Sequence, residues 1–322
     1  MRKSSKPPAV RLEAIPWRGE AVSRLILGTV QLGMHYGIAN VRGKPDAAQA
    51  QAIVAAAWGA GIRHFDTAQA YGDSEAVLGQ ALRALGIADE ACIASKLAAH
   101  LDPEDLSAVE AAIEETFARL GVERLWCLMF HQARWLGYWD GGLGDLLLRY
   151  RASGRIQHLG VSISPPEEAA ACLAHPQMAV LQMPCNAWDR RLRDQGVFEA
   201  ARQASKLSCV RSVYLQGLLS LPPDAVAQKL PAAHAASLRW QAFAREQGCS
   251  PVELALRFAL TLDLPLVVGA ESPGQLRETA AWMGKGPLPP KLVEALEKAM
   301  TPVVSAAIVE PWRWPGKEAP AS

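Results

Sequence analysis

The sequence predicts an α/β fold in which parallel strands alternate with helices, and three observations support this class. From residue 25 onward, short segments rich in Ile, Val and Leu alternate with longer Ala-rich segments of helical period. We count eight such alternations, and no linker divides them into two domains. Half of the 322 residues are hydrophobic, which is enough for one large core. We therefore expect a single domain over residues 1–322, and both a (β/α)₈ barrel and a doubly wound open sheet accommodate eight units.

The eight predicted strands are short and apolar, and each is followed by a segment of helical period. They occupy residues 25–28, 63–66, 92–96, 125–131, 158–162, 180–183, 208–212 and 264–269.

The helices carry ordinary start and stop signals. Residues 46–58 have Ala and Ile at helical spacing, and residues 103–105 place a proline and two acids at the start of a later helix. Residues 292–300 predict one further helix outside the eightfold repeat. The segments 1–20 and 311–322 are predicted to be tails.

Charge, cysteine content and hydropathy exclude several classes of protein. Lys and Arg number 33 against 32 Asp and Glu, without a long block of one sign, so nothing indicates nucleic acid binding. Prolines follow the first basic residues where a secretory signal would have an apolar run, and no stretch approaches the ~18 apolar residues of a membrane span. We expect a cytoplasmic protein. The cysteines lack the close pairing of metal or dithiol sites, so reduced thiols are expected at Cys92, Cys127, Cys172, Cys185, Cys209 and Cys249.

Several motifs of large enzyme classes are missing. The segment 27–33, LGTVQLG, follows the first strand but does not supply the G-x-G-x-x-G of an open dinucleotide-binding sheet. The sequence also lacks G-x-x-x-x-G-K-[ST], H-E-x-x-H and G-x-S-x-G. These absences argue against the corresponding nucleotide, metal and serine hydrolase sites.

Four polar residues stand at or just beyond the ends of the second, third and fourth predicted strands: Asp66, Tyr71, Lys96 and His131. In a barrel these strand ends converge on one mouth, where barrel enzymes have their active sites. Each residue also has an ordinary explanation, as a surface tyrosine, a structural histidine or an ion pair at the rim. Together they form the candidate catalytic constellation.

A long motif surrounds the first two of these residues. Residues 61–79, GIRHFDTAQAYGDSEAVLG, resemble the aldo/keto reductase signature G-x-R-x-x-D-T-A-x-x-Y-G-x-S-E-x-x-L-G. Further segments follow in family order, so that the resemblance covers residues 25–283. It implies a (β/α)₈ TIM barrel of aldo/keto reductase type with an additional C-terminal helix. It also implies hydride transfer between a nicotinamide cofactor and an aldehyde, ketone or sugar, without a metal.

The resemblance implies a role for each of the four polar residues. Tyr71 stands in the position of the general acid. A free tyrosine titrates near pH 10, and an adjacent ammonium such as Lys96 favours the tyrosinate. Asp66 is expected to pair with Lys96, and His131 to hydrogen-bond the carbonyl oxygen and orient the substrate.

The resemblance also assigns the cofactor contacts. Ser162 and Gln182 are expected near the carboxamide, and Arg211 beneath the nicotinamide ring, where other members often have an aromatic residue and where a guanidinium can stack. Ile163 departs from the asparagine that commonly follows the serine, and Ser164 is a possible substitute. The full set of expected cofactor contacts is Gly28, Thr29, Ser162, Gln182, Arg211, Ser212, Leu215, Gly217, Gly269, Ala270, Glu271, Gln275, Glu278 and Thr279.

The loop 269–279 resembles the part of the family that binds the adenosine phosphate. Glu271 stands near the start of the loop, where a cation for a 2′-phosphate is usual, and Thr279 replaces a common asparagine. A carboxylate can accept hydrogen bonds from a free 2′-hydroxyl and repels a 2′-phosphate. We therefore expect NAD(H) to be preferred over NADP(H). The alternatives are that Glu271 is only a solvated acid, or that Arg277 restores phosphate affinity.

A second functional hypothesis makes the protein a regulator. The segment 27–40 and the Ala/Arg-rich composition are similar to the KidO-like subgroup, NADH-binding family members that regulate bacterial cell division through the tubulin-like protein FtsZ. The aromatic, glycine-rich loop 134–144 suits either a substrate pocket or a partner surface. The sequence alone does not separate an enzyme from a redox-sensing regulator.

Overall fold

A closed barrel of eight parallel strands forms the centre of the protein. The computed structural model describes residues 12–315. In chain order the strands are β1 (Ala14–Trp17), β2 (Glu20–Ser23), β3 (Leu25–Gly28), β4 (His64–Asp66), β5 (Cys92–Leu97), β6 (Leu125–Phe130), β7 (Ile156–Ser162), β8 (Met178–Pro184), β9 (Leu207–Arg211) and β10 (Leu266–Gly269). The barrel consists of β3 to β10, and β10 pairs with both β9 and β3 to close it.

The predicted fold class is therefore confirmed. Each of the eight predicted strands is present, and its ends differ from the prediction by at most two residues. Because neighbouring strands are all parallel, their carboxyl ends meet at one mouth. Gly28 lies opposite Asp66 and Ser162 opposite Gln182, so predicted site residues share this mouth.

Helices surround the barrel and account for most of the remaining chain. They are α1 (Val30–Gly33), α2 (Ala47–Gly59), α3 (Ser74–Ala84), α4 (Leu106–Leu120), α5 (Leu143–Ala152), α6 (Ala169–Ala174), α7 (Arg191–Asp194), α8 (Val197–Gln203), α9 (Pro223–Lys229), α10 (His234–Glu246), α11 (Pro251–Ala259), α12 (Pro273–Met283), α13 (Pro290–Met300) and α14 (Ala306–Val309). Short 3₁₀ turns occupy Ala133–Gly141, Pro166–Glu168, Leu215–Ser220, Pro231–Ala233, Leu260–Leu262 and Pro311–Arg313. Within residues 12–315, no helix is both long and apolar enough to span a bilayer.

The helices predicted from start and stop signals are present, and one of them begins later in the chain than predicted. Asp46 caps α2 through a capping box, in which its carboxylate accepts from the Gln49 N–H at 2.8 Å. The additional helix predicted over 292–300 is α13. The helix predicted to start at residues 103–105 begins later, as α4, because the Asp105 side chain accepts from the Ala108 N–H and acts as the cap. Gly121 ends α4 at a φ of 66°.

The core has two layers, one on each side of the strands. Leu25 and Leu27 of β3 belong to a large cluster that also contains helix residues, so they face outward against the helices. Ile26, between them, belongs to a cluster built from strand residues, which fills the barrel interior. The described cysteines are all free, and four of the six are buried, as expected for reduced thiols.

Residues 14–20, which the sequence places in an N-terminal tail, instead form a β-hairpin together with residues 21–23, at the amino ends of the barrel strands. Its turn has Arg18 and Gly19 at φ values of 48° and 82°. Val22 is fully buried in the barrel interior. The Glu20 carboxylate accepts a hydrogen bond from the Trp126 indole N–H at 2.9 Å, and its other oxygen lies 2.8 Å from His158 Nε2. Pro16, Arg18, Gly19 and Glu20 interrupt the apolar residues of this segment, which is why the sequence did not predict the hairpin. Residues 1–11 of the predicted tail lie outside the described residues.

The second predicted tail, 311–322, is also partly structured. Pro311–Arg313 forms a 3₁₀ turn, and Trp314 is buried, with its indole N–H donating to the Ile308 carbonyl at 3.0 Å. Residues 316–322 lie outside the described residues.

The hairpin generates a prediction about acid stability through His64. Its ring is 3% exposed and Nδ1 lies 3.1 Å from the Ser23 hydroxyl, beside the Trp126 ring. Burial lowers the pKa of His64 to about 4, with the Glu20 carboxylate opposing this shift and His158 adding to it. Unfolded histidine titrates near 6.5, so between these values the unfolded chain binds the extra proton. The free energy of unfolding should fall on acidification from pH 6.5, by about 3 kcal/mol at pH 4 from this residue.

Urea titrations at several pH values measure this slope. His64→Gln should make the dependence on pH shallower over this window, whereas His100→Gln, at an exposed position, should leave it unchanged. Equal slopes for His64→Gln and the parent would show that His64 is not a source of acid sensitivity.

Candidate active site

A buried lysine stands at the centre of the barrel mouth and contacts two of the other predicted catalytic residues. The Lys96 ammonium donates to Asp66 Oδ1 at 2.7 Å, to the Thr67 carbonyl at 2.9 Å and to the Tyr71 hydroxyl at 3.4 Å. Lys96 has no exposed surface and Asp66 is 4% exposed. Burial alone would lower the pKa of Lys96, but Asp66 and Tyr71 outweigh burial and raise it. Lys96 is therefore held as an ammonium beside the tyrosine.

His131, the fourth residue, directly follows β6 and faces the same tyrosine. The rings of His131 and Tyr71 lie with centroids 5.8 Å apart, nearly perpendicular. Burial, together with the charges of Lys96 and Arg211, lowers the pKa of His131 to about 3. Its Nδ1 is buried and has no hydrogen-bond partner among the described residues. The ring is therefore neutral near pH 7 and has one nitrogen free for a ligand.

The positions of these side chains follow from the ends of the strands. Asp66 is the last residue of β4 and Lys96 the penultimate residue of β5. Tyr71 lies in the turn that leads from β4 to α3, and its N–H donates to the Ala68 carbonyl at 3.0 Å. In the same turn, the Gln69 N–H donates to the Lys96 carbonyl at 3.1 Å. The turn is thus tied to the strand that carries the lysine.

Two glycines allow the loops of the mouth to pack backbone against backbone. A Cβ at Gly33 would lie 1.9 Å from the Tyr71 carbonyl oxygen. Gly72 has a φ of 60°, and a Cβ there would lie 2.5 Å from the Gly33 carbonyl oxygen. A larger side chain at either position would displace the turn that holds Tyr71.

Other residues of the signature support the site instead of lining it. The Ser74 hydroxyl donates to the Thr29 carbonyl at 2.7 Å, and the Thr29 hydroxyl donates to the Asp66 carbonyl at 2.9 Å. Thr29, predicted as a cofactor contact, is fully buried, so its side chain holds the backbone of Asp66. The buried Glu75 carboxylate accepts from Arg119 Nε at 2.7 Å and fastens α3 to α4.

Ser162 and Gln182, assigned to the nicotinamide carboxamide, lie opposite each other at the ends of β7 and β8, and both are buried. The Gln182 amide donates to Asp66 Oδ1 at 2.6 Å, the same oxygen that accepts from Lys96. This contact joins positions 116 residues apart, and the sequence did not predict it. Gln182 therefore belongs to the hydrogen-bond network around the lysine.

Arg211, at the end of β9, reaches past β8 to residues that follow β7. Its guanidinium donates to the Ile163 carbonyl (3.1 Å), the Ser164 hydroxyl (2.8 Å) and the Ser212 hydroxyl (3.1 Å). The Ile163 side chain is fully buried in the outer core, so it offers nothing to a carboxamide. The Ser164 hydroxyl oxygen is engaged by Arg211, and this contact limits its value as a substitute.

The loop after β9 has an unusual backbone. Ser212, Leu215, Gln216 and Gly217 have φ values of 61°, 47°, 53° and 89°. Such a run in non-glycine residues costs free energy and occurs mostly at functional sites. The Gln216 carbonyl accepts from the Ile38 N–H at 2.9 Å, so the segment 34–40, which follows α1, contacts this loop.

The predicted adenosine loop leads from β10 into α12. Ser272 caps the helix, and the Gln275 side chain accepts from the Glu271 N–H at 2.7 Å. Gly269 ends β10, Ala270 is buried and Glu271 is half-buried. The Thr279 hydroxyl donates within the helix to the Gln275 carbonyl at 2.9 Å. Exposed positions on α12 are Arg277 and Glu278.

A cavity of about 440 Å³ adjoins this loop. One of its lining side chains is the cationic Arg42, which the sequence did not link to the loop. It is lined by Arg42, Gly43, Pro45, Gln49, Glu271, Ser272 and Pro273. Burial raises the pKa of Glu271, while Arg42 and His35 oppose the shift. Because Arg42 lies 229 positions before Glu271 in the chain, no local motif links the two.

The mouth fits a nicotinamide cofactor on structural grounds. Three buried polar atoms around it have no partner among the described residues: His131 Nδ1, Arg211 Nε and Gln31 Oε1. Gly28 pairs with Gly269, and a Cβ at Gly269 would lie 2.3 Å from Gln31 Oε1, so the missing side chain leaves room for the Gln31 amide at the end of β10. Within residues 12–315, no group of three His, Cys, Asp or Glu residues is arranged to hold a metal ion.

Comparison with solved structures finds similar barrels at low sequence identity. A glycerol dehydrogenase from Gluconobacter oxydans is 22% identical, with a TM-score of 0.69, and the match covers 91% of this chain and 96% of that one. An aldo-keto reductase from Bacillus halodurans, in its holo form, is 20% identical, with a TM-score of 0.73 and coverage of 94% and 100%. A putative aldo-keto reductase from Pseudomonas aeruginosa is 22% identical, with a TM-score of 0.66 and coverage of 87% and 99%. These likenesses show the fold.

The sequence itself settles the family. A sequence model of the aldo/keto reductase family matches residues 24–301, a range that contains the whole barrel and all four residues of the predicted catalytic constellation. The resemblance drawn from residues 61–79 is thereby confirmed. The chain belongs to the aldo/keto reductase family.

Proposed function

We propose that this chain is an NAD(H)-dependent oxidoreductase that reduces a small aldehyde, ketone or sugar. The observation that carries the proposal is the buried Lys96 ammonium, which contacts both the Asp66 carboxylate and the Tyr71 hydroxyl. A buried cation beside a phenol at a barrel mouth is suited to proton transfer. Family membership supports nicotinamide-dependent oxidoreduction as the type of reaction.

The nicotinamide, when bound, supplies a hydride to the carbonyl carbon. Tyr71 donates its phenolic proton to the carbonyl oxygen, on which negative charge develops. The ammonium of Lys96, 3.4 Å from the hydroxyl, stabilises the tyrosinate that remains. The proton is later replaced from solvent, since Tyr71 is half-buried.

His131 orients the substrate without changing its own charge. With a pKa of about 3, the ring stays neutral at physiological pH and donates one N–H to the carbonyl oxygen. A neutral donor polarises the carbonyl and leaves Tyr71 as the source of the proton. Tyr71 and His131 would then contact the same oxygen.

Asp66 and Gln182 are positioning residues. The Asp66 carboxylate accepts from both Lys96 and Gln182 on a single oxygen, which fixes the ammonium at the end of β5. Because each charge or amide in this group has a partner, burial does not leave an unsatisfied ion. Ser162 and Gln182 would hold the carboxamide, and the strained loop of Ser212, Leu215 and Gly217 would cover the cofactor.

The preference for NAD(H) is proposed from Glu271. This half-buried carboxylate lines the cavity at the start of α12, where it would accept a hydrogen bond from a 2′-hydroxyl and repel a 2′-phosphate. Arg42 lines the same cavity and is the cation that competes with this effect. Glu271 is proposed to dominate because Arg42 is exposed, and water screens its charge.

The regulatory alternative, with FtsZ as partner, remains a prediction from the sequence. The segment 27–40 on which it depends contacts the loop after β9, where the Ile38 N–H donates to the Gln216 carbonyl. A Cβ at Gly37 would lie 3.0 Å from that same carbonyl oxygen. Packing within the molecule thus accounts for this segment without a protein partner, and we favour the oxidoreductase.

The first prediction concerns the proton donor. Tyr71→Phe deletes only the hydroxyl, so kcat/KM for carbonyl reduction should fall by at least about 10²-fold while the Kd for NADH stays nearly unchanged. Steady-state kinetics on a panel of aldehydes, ketones and sugars, with calorimetry for NADH, measure both quantities. Tyr150→Phe, in α5, where the hydroxyl donates to the Glu114 carboxylate, is the matched control and should retain activity. Equal turnover in Tyr71→Phe and the parent would contradict the role of Tyr71.

The second prediction concerns the buried ion pair. Lys96→Met should abolish most activity and lower the free energy of unfolding by about 3 kcal/mol, because Asp66 loses its cation at a site with 6% side-chain exposure. Lys44→Met, which removes a surface pair with Asp73, should cost under about 1 kcal/mol. The double variant Asp66→Asn/Lys96→Met should regain stability without regaining activity. A stability loss in Lys96→Met no greater than in Lys44→Met would show that the buried pair is not required.

The third prediction concerns the cofactor. The parent should bind NADH more tightly than NADPH, and Glu271→Ala should reduce this preference by about tenfold, since one carboxylate near the 2′-position is removed. Arg42→Ala should increase the preference, and Glu294→Ala, at an exposed position on α13, should leave it unchanged. Calorimetry with both reduced cofactors measures each ratio. NADPH binding as tightly as NADH in the parent would contradict the assignment of Glu271.

A further inference from the structure

The guanidinium of Arg211 is a fixed cation at the barrel mouth. Three hydrogen bonds hold it, to the Ile163 carbonyl, the Ser164 hydroxyl and the Ser212 hydroxyl, at 2.8 to 3.1 Å. All three acceptors are neutral. The side chain therefore has a defined position without a counterion in direct contact.

The nearest acid does not neutralise this charge. Within the described part of the chain, no carboxylate oxygen forms an ion pair with an Arg211 nitrogen at 4.0 Å or less. Glu168 is close enough to be influenced, but its carboxylate accepts from the Ser164 N–H at 3.1 Å instead. Lys96, by contrast, is paired with Asp66 at 2.7 Å. Arg211 is therefore a cation of the mouth without a direct ionic partner among the described residues.

The strand order places this cation beside the proposed nicotinamide site. Ser162, Gln182 and Arg211 stand at the ends of the neighbouring strands β7, β8 and β9. If Ser162 and Gln182 hold the carboxamide, as the proposed function has it, the nicotinamide ring would lie beside the guanidinium. Burial, then Lys96 and then Arg211 lower the pKa of His131, so the charge of Arg211 also acts on the histidine of the mouth.

The two redox states of the ring differ in charge. The oxidised nicotinamide carries one positive charge and the reduced ring is neutral. Both are planar and can stack on a guanidinium, but only the oxidised ring is repelled by it. An aromatic side chain in the same place would instead attract the cationic ring.

Building on the proposed function, we propose that Arg211 makes the site bind reduced nicotinamide in preference to oxidised nicotinamide. The bound reduced cofactor is then stabilised relative to the bound oxidised form, and the oxidised cofactor dissociates more readily after each turnover. A tenfold difference in the two affinities corresponds to a shift of about 30 mV in the potential of this two-electron couple.

Calorimetry on the full-length chain without a carbonyl substrate tests this directly, with NADH and NAD⁺ titrated separately. If the parent binds only the phosphorylated cofactors, NADPH and NADP⁺ replace them. The ratio of Kd for the oxidised form to Kd for the reduced form should fall by about tenfold or more in Arg211→Met and Arg211→Gln, which remove the charge. The ratio should stay near the parent value in Arg211→Lys, which retains the charge. It should also stay near that value in Arg149→Met, where the side chain is 65% exposed.

Thermal unfolding of each variant confirms that it is folded. If Arg211→Met disrupts the structure of the loop after β9, Arg211→Gln provides a second variant, because its amide can still donate hydrogen bonds. An unchanged ratio in folded Arg211→Gln or Arg211→Met overturns the inference while leaving the proposed function intact. A loss of preference in Arg211→Lys equal to that in Arg211→Met also overturns it, because the shape of the guanidinium and not its charge would then be responsible. Failure of the folded parent to bind any nicotinamide contradicts the proposed function itself.

Discussion

The arrangement of the mouth depends on one interaction, the buried pair between Lys96 and Asp66. An ammonium with no exposed surface is tolerable only when its donors are satisfied, and here a carboxylate, a backbone carbonyl and a phenol accept them. The pair joins the ends of β4 and β5, and the Thr29 hydroxyl holds the Asp66 backbone from β3. Three strands of the barrel thus cooperate to keep one charge next to Tyr71.

This charge organises the chemistry of its neighbours. Because burial and then the nearby cations Lys96 and Arg211 lower the pKa of His131, its ring stays neutral and is confined to donating a hydrogen bond. Lys96 is balanced by Asp66, whereas Arg211 is held by neutral groups alone. The mouth therefore separates a paired cation, which supports proton transfer, from an unbalanced one, which acts on the charge of the bound ring.

The barrel, and the position of the four polar residues at its mouth, could be predicted because both depend on local patterns. The alternation of strands and helices alone also fitted a doubly wound sheet, and the family signature favoured the barrel. Alternating strands and helices, and a motif of 19 residues over positions 61–79, are readable without distant contacts. The hairpin of residues 14–23 was missed because polar residues, a proline and a glycine interrupt its apolar residues. The bond from Gln182 to Asp66 and the approach of Arg42 to Glu271 join distant positions, and only the folded chain brings them together.

A double-mutant cycle between Lys96 and Tyr71 tests most directly whether the lysine acts through the tyrosine. The quantity to measure is kcat/KM for carbonyl reduction in the parent, in Tyr71→Phe, in Lys96→Met and in the double variant. If the ammonium serves to stabilise the tyrosinate, the double variant should be no slower than Tyr71→Phe alone, because the charge has no role once the hydroxyl is gone. Losses that multiply in the double variant would show that Lys96 and Tyr71 act independently, and would contradict this account.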